Sequence, residues 1–225
     1  MRHPGSRARL SLFQSITWFA GSHNIEQTQR RLALPIQTER LVLREFTAAD
    51  TERTLPDLGS EDYWRYELFR RLGSYHLHAL VQNADLERVR QPRRNYSLAA
   101  ETRADGALVG TIRLSVKGFR RDGCELGWMI YPQFSGQGFA TEMALAMVRM
   151  GLDDLALARV SAQCHKDNAA CLRIFEKLGM RREKSVQRYA YARGTLIPGS
   201  QWVVAAADHR ARHRPAGGAE QPQPA

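Results

Sequence analysis

The chain has 225 residues, of which 43% are apolar and 25% charged, the balance of one soluble domain with tails. No stretch approaches the roughly eighteen continuous apolar residues of a membrane span, so no membrane association is expected. The net charge of +10 is spread unevenly. Before Gln37, five arginines against Glu26 leave +4; from Arg210 onward, three arginines against Glu220 leave +2; the long middle holds the remaining +4. With over half the excess on the ends, the pattern fits solvated tails and argues against dedicated nucleic-acid binding. The three cysteines, Cys124, Cys164 and Cys171, are odd in number and lack metal-site spacing, which suits a reducing cytoplasmic compartment and implies no metal.

Residues 1–36 are expected to form a mobile basic extension. LSLFQSITWFAG after Arg9 faintly imitates a secretion signal, but Gln14, Ser15 and Thr17 interrupt it and no clean cleavage site follows. The folded domain is expected over 37–209, with a disordered Arg/Pro/Gly/Gln/Ala tail over 210–225. TERLVLREF, residues 38–46, reads as the first strand, Leu41 and Leu43 alternating with Arg40, Val42 and Arg44. Residues 50–89 read as helical, because Trp64, Leu68 and Leu72, then Leu77, Leu80 and Val81, recur at three- and four-residue intervals, punctuated by Gly59 and Gly73. Two alternating runs, 96–101 and 108–114, flank Ala104-Asp105-Gly106, a hairpin signal.

CELGWMIYPQFSGQGFA, residues 124–140, is the most informative stretch. Leu126, Trp128 and Ile130 alternate with Glu125, Gly127 and Met129 as a strand, the strand breaks at Pro132, and Ser135-Gly136-Gln137-Gly138 leads into a helix over about 139–152. A strand, a glycine-rich turn and a helix N-terminus make an anion site, since unpaired N–H groups converge there and the helix dipole adds roughly half a positive charge. Gly136 and Gly138 leave room for a pyrophosphate against the backbone. In the helix, Phe139, Met143 and Met147 share a face that reads as plain core. Residues 159–164 form the next strand; Asp167 or Asn168 then caps a short helix that Gly179 stops. A strand over 180–186, an irregular segment over 187–200 and a last strand near 201–207 complete the domain.

PQFSGQGFATEMA resembles the acyl-CoA-binding motif of the GNAT N-acetyltransferases, in particular the RimJ/RimL-type branch. Family members carry Gln or Arg, two residues, Gly, one residue, then Gly or Ala; Ser135, Gly138 and Ala140 take those places, so the first departs from the usual Gln or Arg. TERLVLREF resembles the opening of the same branch, and DNAACLRIFEKLGM a second family motif, so the resemblance spans about 38–208 and is thin over 51–94. It implies an α/β fold, a mixed, mostly antiparallel sheet flanked by helices, with acyl-CoA entering where two central strands splay. It also implies transfer of an acetyl group from acetyl-CoA to a primary amine, a protein N-terminal amine first and a polyamine or other small amine second. The protein is expected to act as a monomer or homodimer.

By that resemblance, the backbone of Ser135, Gly136, Gln137, Gly138, Phe139, Ala140 and Thr141 holds the pyrophosphate, and N–H groups around Met129 and Ile130 polarise the thioester carbonyl. Asn168 contacts the pantetheine arm while capping its helix. An amine with a pKa near 10 must lose a proton before it attacks, and Glu125 is the candidate base, ahead of Glu101 and Glu142. The family's usual tyrosine, seven residues after the Asn, is Phe175 here, which has no hydroxyl to donate. Cys171, at the branch's serine position, is the candidate proton donor or else a small buried hydrophobe. Arg188, Tyr189 and Tyr191 are candidate acceptor-groove residues, and Arg188, Arg193 and the basic loop after Lys117 point to an acceptor with negative charge near its amine. The rival reading, for which Phe175 is the argument, is a catalytically weak acyl-CoA-binding sensor or scaffold.

Overall fold

A computed structural model describes residues 34–51, 66, 74–118, 122–190 and 194–213, with the backbone alone at 74–80 and 189–190. Its strands are β1 (Ile36–Gln37), β2 (Leu41–Glu45), β3 (Asn95–Thr102), β4 (Leu108–Lys117), β5 (Gly123–Ile130), β6 (Arg159–His165), β7 (Arg181–Ala190) and β8 (Thr195–Ala205). They join in one eight-stranded sheet ordered β1-β2-β3-β4-β5-β6-β8-β7. Every neighbouring pair is antiparallel except β5 and β6, which run parallel at the centre. The helices are α1 (Ser74–Val89), α2 (Phe139–Arg149), α3 (Ala169–Lys177) and α4 (Ala206–Arg212). Helix α2 is the crossover between the parallel pair, as parallel strands require. This is the mixed, mostly antiparallel α/β sheet expected from the sequence.

Each face of the sheet buries one apolar cluster. Leu41, Leu43, Leu114 and Leu126 pack with Met143 and Met147 of α2 and Phe175 of α3, so the methionine stripe is core, as its spacing predicts. On the other face Phe46, Ala99, Leu108 and Tyr131 pack with Val81 and Ala84 of α1. Arg44 ties β2 to the turn after it, its Nη1 and Nη2 each 2.7 Å from an oxygen of Asp50 and its Nε 2.8 Å from Glu101. Burial alone would raise the Asp50 carboxyl, yet hydrogen bonds from Arg44 and Thr47 hold it below the usual carboxylate range. No helix among the described residues is long and apolar enough to cross a membrane.

The structure departs from the sequence reading at two places. The segment over 187–200, expected to be irregular, is strand on both sides, β7 reaching Ala190 and β8 starting at Thr195. Strand β7 is the sheet's edge and its first five residues are exposed, so no apolar alternation marks it. The chain after β8 is helix over Ala206–Arg212, where a strand to 207 and a disordered tail from 210 were expected. Ala206 N–H donates to Ala158 C=O at 2.9 Å, and His209 is buried with Nε2 3.5 Å from Asp153 Oδ2, contacts that no local pattern encodes. Of the helical stretch 50–89, the structure describes a short turn, Ala48–Thr51, and α1; Trp64, Leu68 and Leu72 lie outside the described residues.

Candidate active site

Strands β5 and β6 pair from Gly123↔Arg159 to Leu126↔Ala162 and then part. Each keeps its outer partner, β5 staying on β4 to Gly110↔Ile130 and β6 on β8 to His165↔Gly199. The inner edges therefore open between two continuous ladders. The gap is a cleft of about 680 Å³ with Gly127 to Ile130 on one wall and Gln163 to His165 on the other, a size suited to a cofactor-sized ligand. Tyr131 N–H donates to Val109 C=O, so strand alternation turns the Met129 N–H toward β4 and those of Trp128 and Ile130 toward the cleft. Of the two expected carbonyl donors, Ile130 turns its N–H toward the opening and Met129 turns its N–H toward β4, while the Trp128 N–H faces the same side as that of Ile130. The close seat of β4 here depends on Gly110, where a Cβ would stand 2.2 Å from Met129 O.

At the mouth of the cleft the chain makes a tight turn, Pro132–Phe134, then passes Ser135 to Gly138 into α2. Gly136 and Gly138 hold φ of +77° and +85°, the left-handed region that side chains resist. Among the described residues no side chain caps α2, and its first in-helix bond is Glu142 N–H to Gly138 O at 3.1 Å. The N–H groups of the first turn are thus left for a ligand. Ser135, Gly136, Gly138, Phe139, Ala140 and Thr141 all line the cleft. Gln137 does not: its amide donates to Gln133 O at 3.1 Å and its carbonyl accepts from Arg40 Nη1 at 3.0 Å.

The loop is braced from β2. Glu142 accepts from the Arg40 backbone N–H and Nε, both at 2.7 Å, and from Thr38 Oγ1 at 2.6 Å. Arg40 also lies 4.6 Å over the Phe139 ring. Burial pushes the Glu142 carboxyl up, but these donors outweigh it and hold it low. The opening motif TERL and the glycine turn are therefore one unit, joined by Arg40 and Gln137, 97 residues apart in sequence.

Helix α3 forms the opposite side. Asn168 caps it as expected, its Oδ1 accepting from Cys171 N–H at 3.1 Å, and both residues line the cleft. Phe175 is fully buried between Trp128 and Trp202, with ring centroids 5.8 and 5.6 Å away, so the departure from tyrosine is absorbed into the core. Arg173 and Lys177 line the cleft and form no ion pair among the described residues, and Arg188 of β7 does likewise. Arg173 and Lys177 recur with Ala170 and Ile174 at three- and four-residue intervals, a helical face that the sequence itself carries.

Glu125 lies on β5 but outside the lining of the cleft, half-exposed and 3.3 Å from Lys117 Nζ. Glu101 and Glu142 are held by Arg44 and Arg40. The titratable groups that line the cleft include Cys164, Cys171 and His165. His165 Nδ1 accepts from Asp167 N–H at 3.1 Å, which places the proton of the neutral ring on Nε2, and the ring packs 5.1 Å from Tyr66. The Cys164 thiol is held below its ordinary value, chiefly by a hydrogen bond from Cys171, with burial opposing and Ser200 and Arg188 assisting. The side chain of Tyr189, and all of Tyr191 and Arg193, lie outside the described residues.

The family model for the acetyltransferase (GNAT) domain matches residues 40–181. The uncharacterized N-acetyltransferase YoaA of Bacillus subtilis is 28% identical over 160 residues, covering 71% of this chain and 90% of its own. Among solved structures, a GNAT-family acetyltransferase from Bacillus anthracis superposes with a TM-score of 0.65 at 24% identity, covering 76% of this chain and 98% of its own. Spermidine N-acetyltransferase from Vibrio cholerae, in complex with CoA and spermine, does so with a TM-score of 0.62 at 15% identity, covering 76% and 99%. The family match spans most of the chain and lies on the parted strands and glycine turn just described, so this protein belongs to the GNAT family and is an acetyltransferase.

Proposed function

We propose that the protein moves an acetyl group from acetyl-CoA to a primary amine by direct attack, with a protein N-terminal amine the favoured acceptor and a polyamine or other small amine second. The observation that carries the reading is the bare, glycine-linked N-terminus of α2 at the mouth of the β5/β6 opening. The residues fit acetyl-CoA: the turn has no Cβ at two left-handed positions, and Arg173 and Lys177, without an acidic partner among the described residues, supply charge for its phosphates. Bound there, acetyl-CoA supplies the activated acetyl group as a thioester. The Trp128 and Ile130 N–H groups stabilise the oxyanion that develops at the carbonyl. Asn168 orders the start of α3 beside the pantetheine arm. Glu125, on the same strand as the carbonyl donors, takes the amine proton through water, and Cys171 returns a proton to the departing thiolate. PQFSGQGFATEMA and TERLVLREF favour the RimJ/RimL-type branch, hence a protein N-terminus; the fold is shared with a spermidine acetyltransferase, which keeps polyamines in second place.

Arg188 lines the cleft without an acidic partner among the described residues, which supports an acceptor bearing negative charge near its amine. Charge reversal, Arg188→Glu, should shift preference from acidic toward basic acceptors; unchanged selectivity would count against it. The direct test is calorimetric acetyl-CoA binding together with CoA release followed by chromatography, against N-terminal peptides, polyamines and amino sugars, repeated on Glu125→Gln and Cys171→Ala. Turnover that falls at least tenfold in Glu125→Gln supports the assigned base. Binding without turnover on any acceptor supports the sensor reading that buried Phe175 favours, and no binding at all overturns the proposal.

A further inference from the structure

A row of polar side chains crosses the sheet and ends at the cleft. Cys124 and Leu126 of β5 and Ala162 and Cys164 of β6 face the core cluster of α2 and α3. Gly127 and Gln163, the first residues past the last couple Leu126↔Ala162, therefore share the other face. Nothing lies within 4 Å of the Gly127 Cβ position, which leaves room beside Gln163, and both residues line the cleft. Gln163 pairs with Gln201 across the β6/β8 ladder, and its Nε2 donates to Gln201 Oε1 at 3.3 Å. Gln201 Nε2 in turn donates to Glu183 Oε2 at 2.6 Å, and Glu183 Oε1 accepts from Arg159 Nη1 at 2.9 Å. Glu183 reaches them from a bulge: Arg182 faces Trp202 and Lys184 faces Gln201, so Glu183 is an extra residue of β7 with no ladder partner of its own.

The carboxylate at the far end of the row decides which atom of Gln163 is left for the cleft. A carboxylate only accepts, so Gln201 must give it Nε2 and turn Oε1 back, and Gln163 must give its own Nε2 to that oxygen. Gln163 Oε1 is then left over, and it accepts no hydrogen bond among the described residues. We propose that this oxygen receives an N–H of the acceptor amine, so that Gln163 is an acceptor-binding residue and Gln201 and Glu183 are positioning residues that fix the direction of its amide. The inference rests on the proposed acetyl transfer. A primary amine keeps one N–H in the amide it forms and a secondary amine keeps none; that retained N–H is the one assigned to Gln163 Oε1. The acetyl carbonyl meets the Trp128 and Ile130 N–H groups of the other wall, so each wall of the opening takes one reactant.

The test is steady-state kinetics of the full chain on spermidine and on a peptide with a free N-terminal alanine, the peptide beside its N-methyl counterpart, with acetyl-CoA calorimetry and thermal melts on the same samples. Gln163→Met keeps the length of the side chain and removes the oxygen. It should raise the acceptor KM about tenfold, the worth of one hydrogen bond, and leave acetyl-CoA affinity and melting temperature near those of the wild type. It should also narrow the wild type's preference for the primary amine over the N-methyl one. Glu183→Gln should do the same from outside the cleft lining. A glutamine there can accept from Arg159 through Oε1 and donate to Gln201 through Nε2, which reverses both amides and leaves Gln163 Nε2 for the acceptor. Acceptor KM unchanged in Gln163→Met, a loss confined to acetyl-CoA affinity, or an intact preference for the primary amine would overturn the inference. An effect of Gln163→Met that Glu183→Gln does not share would overturn the positioning role of the row. A wild-type protein that binds no acetyl-CoA would overturn the functional reading itself, an outcome that the calorimetry tells apart.

Discussion

Replacing Gly110 with alanine tests whether the opening between β5 and β6 is set by how closely β4 holds β5. The new Cβ would stand 2.2 Å from the Met129 carbonyl oxygen and 3.1 Å from Ile130 Cα, both backbone atoms that no rotamer can move. Restoring ordinary contact requires the strands to part by about 1 Å, an overpacking cost of about 1–3 kcal/mol. The shift also strains the adjacent ladder bond from Tyr131 N–H to Val109 C=O, now 2.9 Å, a loss of about 1 kcal/mol. Alanine regains about 0.4–1 kcal/mol by restricting the unfolded chain, leaving a net loss of about 1–3 kcal/mol. For a domain of this size that is a melting temperature lower by roughly 3–10 °C. Gly127, across the same ladder, is the control, because nothing lies within 4 Å of its Cβ position. Gly127→Ala should leave stability unchanged or slightly higher. Urea and thermal melts read the stability, and acetyl-CoA calorimetry should show Gly110→Ala weakened beyond its stability loss, since Trp128 and Ile130 move with Met129. If Gly110→Ala melts with the wild type, β4 does not set the opening.

Gly138→Ala places a side chain at φ +85° and 3.3 Å from Arg40 Nη2, and should weaken acetyl-CoA binding about tenfold, for roughly 1–2 kcal/mol of strain, with a smaller change in melting temperature. Arg40→Ala frees the Gln137 carbonyl and leaves Glu142 with Thr38 Oγ1 and the backbone N–H of residue 40; calorimetry should show several-fold weaker binding although Arg40 is outside the cleft lining, and unchanged affinity would refute the brace. Asp50→Ala should cost about 3 kcal/mol or more in urea unfolding, because Arg44 loses a bidentate, buried partner. The folded Asp50 carboxyl sits below its unfolded value, so its contribution is whole above pH ~4 and vanishes as pH falls through the folded value; the acid limb of Asp50→Ala should be correspondingly flatter. His209 is lowered by burial, then by His213, against the pull of Asp153. Its contribution is therefore full above pH ~6.5 and lost as pH falls through the folded value, and His209→Gln should flatten the urea midpoint between pH 7.5 and 5.

Much of the site was legible because its chemistry is local. The glycine turn, the uncapped start of α2 and the Asn168 cap all depend on residues within one turn of each other. The methionine stripe and the β2 alternation follow from periodicity against one buried face. What failed to show was set by partners distant in sequence. Edge strand β7 carries no apolar rhythm because solvent covers its first residues, so a strand looked irregular. Helix α4 is held by Ala158 and Asp153. Which way Met129 and Trp128 point follows from the β4 register, which the alternation of side chains does not reveal.

By itself the chain's order of residues determined where the backbone can present N–H groups to an anion, since φ angles and helix starts are chosen by near neighbours. Only the tertiary structure decided that Arg40 braces the glycine turn, that Glu125 pairs with Lys117, and that Phe175 packs between Trp128 and Trp202. Those encounters depend on strand order and register, which follow from burying both faces of the whole sheet at once.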